Sequence, residues 1–136
     1  MAIGISTEGT FYEIGSASFL HSFFSTVSYY LETDGWGSKY PLLMNNLYQG
    51  SLKWEHSEVV LKNILEIRES LKKFSPDKII WDIENLSMRP PWGDNISPDI
   101  TDLSNYFITS DGNDLFDVLV SILAESINEK ADIHIE

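Results

Sequence analysis

AIGISTEGTFYEIGSASFLHSFFSTVSYYL, residues 2–31, decides the fold class, because its hydrophobic period changes partway along. Residues 2–6 and 10–14 read as two short strands, with Glu8-Gly9 as the turn of a hairpin. From Ser18 the period becomes helical: Leu20, Phe23, Phe24, Val27 and Leu31 share one face. Ser18 is the expected N-cap. Phe19 and Tyr30 widen the apolar stripe, which sets this helix against the core. Asp34-Gly35-Trp36-Gly37 is expected to end it, since glycine accepts the left-handed backbone that closes helices.

Working outward, Pro41 suits the first turn of a short helix carrying Leu42, Leu43, Leu47 and Tyr48, which Gly50 ends. Val60, Ile64, Ile67, Leu71 and Phe74 step by four and three, predicting a helix over 57–74. Glu58 with Lys62 and Glu69 with Lys73 would pair one turn apart, and Ser75-Pro76 would stop it. Lys78 to Ile83 reads as a buried strand with Ile79, Trp81 and Ile83 on one face. A helical turn is expected over 99–104 and a strand over 106–109. Asn113 would cap a helix reaching about residue 128, and residues 131–135 close the chain as a strand. This order predicts one α+β domain over 1–136: a mixed or antiparallel sheet of about five strands packed against about four helices.

With 43% hydrophobic residues over 136 positions, the chain can bury a core without staples. It has no cysteine, so disulfides and thiolate metal sites are excluded. MAIGISTEGTFYEIG lacks a basic region before an apolar run, so no secretory signal is expected. No apolar run approaches the roughly 18 residues that span a bilayer. A cytoplasmic protein is the plain expectation.

The net charge is −12, unevenly spread. Residues 1–76 hold 8 acidic and 6 basic side chains, whereas residues 77–136 hold 13 and 3. Nucleic acid and anionic membranes are therefore poor partners, because both need basic patches. A basic protein suits this field, which would speed its capture.

Residues 81–112, WDIENLSMRPPWGDNISPDITDLSNYFITSDG, carry the candidate site. Pro90, Pro91 and Pro98 break regular structure, and Arg89 is the one basic residue there. A long irregular stretch in a small domain is more often functional than incidental. Trp92 and Trp36 each adjoin glycine, and tryptophan is enriched where interface energy concentrates. The competing role is a loop tryptophan folded back onto the core. Glu84, Asp94, Asp99 and Asp102 would form an acidic rim around Trp92. The competing role for the three aspartates is local turn capping.

The same segment also admits an enzymatic reading. Asp82 and Glu84 lie two apart and, with Asp94, Asp99 or Asp102, have the oxygen ligands of a divalent-cation or hydrolase site. No calcium-loop pattern, nucleophile elbow or glycine-rich phosphate loop accompanies them. His21, His56 and His134 form no ligand pattern. His21 is expected as a hydrogen-bonded core or boundary residue, His56 as exposed, and His134 as pointing away from the core. No catalytic residue, metal or cofactor is assigned.

The runs FLHSFFSTVSYYLE, GWGSKYPLLMNNLYQG, WDIENLSMRPPWGDNISPDITDLSNYF and TSDGNDLFDVL resemble the immunity-protein family numbered seventy of bacterial polymorphic toxin systems. The similarity runs from about Ser18 to the C-terminus. It implies a small cytoplasmic protein that binds a cognate toxin domain and blocks it without chemistry of its own. An acidic face suits a basic, nuclease-like toxin. The resemblance assigns no binding residues.

Overall fold

A computed structural model describes residues 2–136, and the change of period in the first thirty residues is its organising feature. β1 (Ala2–Thr7) and β2 (Thr10–Ser16) form the antiparallel hairpin, closed at Glu8-Gly9 with Gly9 at φ 77°. The register shifts between Ile3 and Gly4. A Cβ on Gly4 would collide with the Phe11 ring and come within 2.8 Å of the Tyr12 carbonyl oxygen, so this bulge needs glycine. α1 (Ala17–Leu31) follows directly. Its N-cap is Ser16, not Ser18: the Ser16 hydroxyl accepts from the Phe19 N–H at 3.1 Å.

Between α1 and the next helix the chain turns around a buried carboxylate. Glu32 is 3% exposed and accepts from the backbone N–H groups of Gly37, Lys39 and Tyr40, each at 3.0 Å. Three donors from one loop satisfy the charge that burial strands. Leu42–Leu47 then forms a π-helical segment rather than an α-helix, burying Leu43, Met44 and Leu47. β3 (Ser51–Leu52), which the sequence did not signal, is only two residues long.

α2 (Ser57–Leu71) buries Val60, Ile64, Ile67 and Leu71 as the spacing required. It stops before Phe74, which is half-buried beyond a turn closed by the Phe74 N–H to the Leu71 carbonyl. Glu58 pairs with Lys62 at 3.7 Å, while Glu69 takes Lys72 at 2.6 Å instead of Lys73. α3 (Leu115–Glu129) is capped by Asp114, not Asn113, through the Phe116 N–H at 2.9 Å. It packs on α2, with Leu115, Phe116, Leu119, Ile122 and Leu123 buried. β4 is Ile133–Ile135. His134 is exposed as expected, whereas His56 is half-buried.

The sheet has four strands in the order β2-β1-β4-β3, all antiparallel. Its buried Ile5, Ile14, Leu52 and Ile133 join the aromatic core of α1, where Phe23 meets Phe24, Phe107 and Phe116 edge to face. The α+β architecture holds, with fewer strands than expected. Residues 78–83 and 106–109 are not strands. The second contributes a single bridge, Ile108 to Asp114, at a tight turn where the Thr109 N–H reaches the Asn113 carbonyl at 2.7 Å. Residues 99–104 form turns rather than a helix. Among the described residues, no helix is long and apolar enough to cross a membrane.

Candidate functional site

After a 3-10 turn over Pro76–Lys78 the chain runs without helix or strand from Ile79, and its hydrogen-bond partner is a helix. Ser22, Ser25 and Thr26 recur at helical spacing on α1 and are fully buried. The Ser22 and Thr26 hydroxyls donate to the Ile80 carbonyl at 2.8 and 3.2 Å. Thr26 also lies 3.3 Å from the Ile80 N–H, and Ser25 accepts from the Ile83 N–H at 3.2 Å. Side-chain hydroxyls thus replace a strand ladder and meet the backbone's demand for partners. Ile79 and Trp81 point into the core, which explains the alternation in the sequence.

This strap delivers Asp82 to α1. His21 Nε2 lies 3.3 Å from Asp82 Oδ1, and His21 Nδ1 lies 2.7 Å from the Tyr48 hydroxyl. The Glu84 backbone N–H donates to the same Asp82 oxygen at 2.9 Å. One ligand atom each from His21, Asp82 and Glu84 lie within 4.8 Å of one another. His21 is therefore a hydrogen-bonded boundary residue, as expected, but one that faces two carboxylates. The Tyr48 hydroxyl is pushed above its usual pKa by burial first, then by the charges of Glu84 and Asp82. Beside this cluster is a cavity of about 280 Å³ lined by Ala17, Ser18, His21, Tyr48, Trp81, Asp82 and Met88.

Trp36 also packs against His21. Its ring stacks on the imidazole with centroids 6.0 Å apart and meets Tyr48 at 5.0 Å. Its indole N–H donates to the Met44 carbonyl at 2.9 Å, so Trp36 closes the loop after α1. It is half-buried rather than presented.

Trp92 is 38% exposed. Its indole N–H donates to the Tyr106 hydroxyl at 2.9 Å, and its ring meets buried Trp81 edge to face at 5.3 Å. Burial is the main force raising the Tyr106 hydroxyl pKa, and the Trp92 hydrogen bond works against it. In the same segment Leu86, Met88 and Ile108 are exposed apolar side chains. A shallow cavity of about 180 Å³ is lined by Phe19, Trp92, Asn95, Ile96, Ile100, Tyr106 and Ile108.

The acidic residues separate into two groups. Glu84, Asp94 and Asp99 are exposed. Asp102 is half-buried, and its carboxylate accepts from the Ser104 N–H at 2.8 Å, the Ser104 hydroxyl and the Thr101 hydroxyl. Its carboxylate is thus committed to a local turn. Sequence reasoning missed the role of His21 and the strap. A signal for the strap was present: three hydroxyl residues at 22, 25 and 26 in an otherwise apolar helix require polar partners once that helix is buried.

A family model described as Immunity protein 70 matches residues 5–135. Neither a curated protein nor a solved structure matches the chain.

Proposed function

The chain belongs to the Immunity protein 70 family, and on that premise we propose that it neutralises a cognate bacterial toxin domain by binding it, with no chemistry of its own. The observation that carries this reading is the extent of the match, which runs from within β1 through every helix and the irregular segment to β4. In this reading the binding face is the segment that runs from Asp82 through Ile108. Trp92, Leu86 and Met88 form its apolar centre, and Glu84, Asp94 and Asp99 form its rim. This follows the usual anatomy of an interface, an apolar core inside a charged border. Trp36 and Asp102 support the frame on which these residues stand.

The acidic C-terminal half favours a basic, nuclease-like toxin met in the cytoplasm. Long-range attraction would raise the encounter rate more than the final affinity. A hydrolase built on Asp82 and Glu84 is not favoured, because the family match points to an immunity protein instead.

The test uses the protein as bait in lysate of the producing cell, with mass spectrometry at low and moderate salt. Recovery of the toxin domain of a large secreted protein, weakening as salt rises, is the expected result. Capture of no toxin domain at either salt would contradict the reading.

A further inference from the structure

We propose that His21, Asp82 and Glu84 form a site for one divalent transition-metal ion of the zinc class, which clamps the loop after Trp81 onto α1. Three kinds of observation point there.

The first is geometric. The donors come from two chain segments some sixty residues apart, and one ligand atom from each falls within 4.8 Å of the others. His21 Nε2 and Asp82 Oδ1 are 3.3 Å apart. A charge-assisted N–H···O bond is shorter, about 2.7–2.9 Å. Two ligands at about 2.0 Å from a tetrahedral zinc ion are separated by about 3.3 Å. The pair is therefore spaced as one edge of a coordination tetrahedron. Glu84 is exposed, so its side chain is free to complete a third corner. The adjoining cavity of about 280 Å³ leaves the fourth corner open to water.

The second is orientation. Tyr48 holds His21 Nδ1 at 2.7 Å. With the ring proton on Nδ1, the Tyr48 oxygen accepts it and Nε2 presents its lone pair to the carboxylates. A partner on the distal nitrogen is the usual device that aims a ligating imidazole.

The third is charge. Among the described residues, neither Asp82 nor Glu84 has a lysine or arginine within ion-pair distance. Two adjacent carboxylates without a strong cation attract one. One imidazole with two carboxylates matches the mixed nitrogen and oxygen preference of zinc better than the all-oxygen shells of calcium and magnesium.

The clamp would fix the loop that carries Trp92 whether or not that loop meets a toxin. It is tested on the full chain, stripped with a chelator. Zn²⁺ is titrated by calorimetry, and Co²⁺ is followed by visible absorption. One saturable equivalent is expected, with the absorption of four-coordinate cobalt. Binding should be at least tenfold weaker in Glu84→Gln and in His21→Gln, and unchanged in Asp99→Asn. Glu84 is exposed, so its variant stays informative even if His21→Gln fails to fold. No saturable zinc binding, or binding that Glu84→Gln leaves intact, would overturn the proposal, as would a preference for Mg²⁺ over Zn²⁺.

Discussion

The rings of Trp81 and Trp92 meet edge to face, with centroids 5.3 Å apart and planes at 85°. Trp81 is 8% exposed and Trp92 38%, so this contact joins the core to the exposed loop. It is a favoured aromatic geometry, adding about 0.5–1.5 kcal/mol beyond area burial. An exposed loop that rests on the core is pre-organised and loses less entropy when a partner binds.

Replacing Trp92 by Phe keeps a ring against Trp81 but removes the donor to Tyr106. Urea denaturation should show a loss of about 1 kcal/mol. Trp92→Ala removes both contacts and should cost about 1–3 kcal/mol while the domain still folds. Equal stability of the three proteins would mean that the loop does not rest on Trp81.

The hydroxyls of α1 hold residues 80–83 in place of a strand partner. Ser22→Ala and Thr26→Val should each cost about 1 kcal/mol, and somewhat more together, because the Ile80 carbonyl then loses both donors. Limited proteolysis reads the effect locally. Cleavage between 76 and 84 should accelerate in the double variant, and an unchanged cleavage pattern would argue against the strap.

Glu32 is the most consequential polar residue away from the candidate face. Glu32→Ala strands three backbone N–H groups, two of them on half-buried or buried residues, and leaves a void. A loss of about 2–4 kcal/mol is expected in chemical denaturation. Glu32→Gln, which keeps one acceptor oxygen, should fall between the variant and the parent.

The elements visible in the sequence were those whose signal is local. The Ile3-to-Ile14 hairpin announces itself through Glu8-Gly9, and α2 through the spacing of Val60, Ile64, Ile67 and Leu71. Alternation at Ile79 and Trp81 reported burial correctly but not the nature of the partner. A strand and a strap on a helix bury alternate residues alike. The two-residue β3 has too few positions to show any period. The acids and Trp92 stand out in the sequence because composition reports them directly, and Glu84, Asp94, Asp99 and Trp92 are exposed. The approach of His21 to Asp82 was not, since it depends on how the strap lies across α1, a tertiary fact.

Acid should act through Asp102. Burial alone would raise its pKa, but the hydrogen bonds from Ser104 and Thr101, with Lys72 nearby, outweigh it and hold the carboxyl below the usual range. A group depressed in the folded state contributes stability above its unfolded pKa of about 3.9, and that stability is lost as pH falls through the folded value. Asp114 runs the other way. Burial raises it, so its contribution is present at low pH and fades as pH climbs from about 3.9 through the folded value. Asp102→Asn should therefore be less stable than the parent above about pH 5, with the gap narrowing as pH falls below the unfolded value of about 3.9. A gap that stays constant with pH would remove Asp102 from this role.

The most direct test of the central claim is a calorimetric titration of the cognate toxin domain with the parent protein and with the Trp92→Ala, Asp94→Ala double variant. Circular dichroism would confirm that both are folded. The account predicts tight one-to-one binding by the parent and a loss of about 2–4 kcal/mol in the variant, which is roughly 30-fold or more in affinity. Equal affinity of the two folded proteins would contradict it and place the toxin on another face.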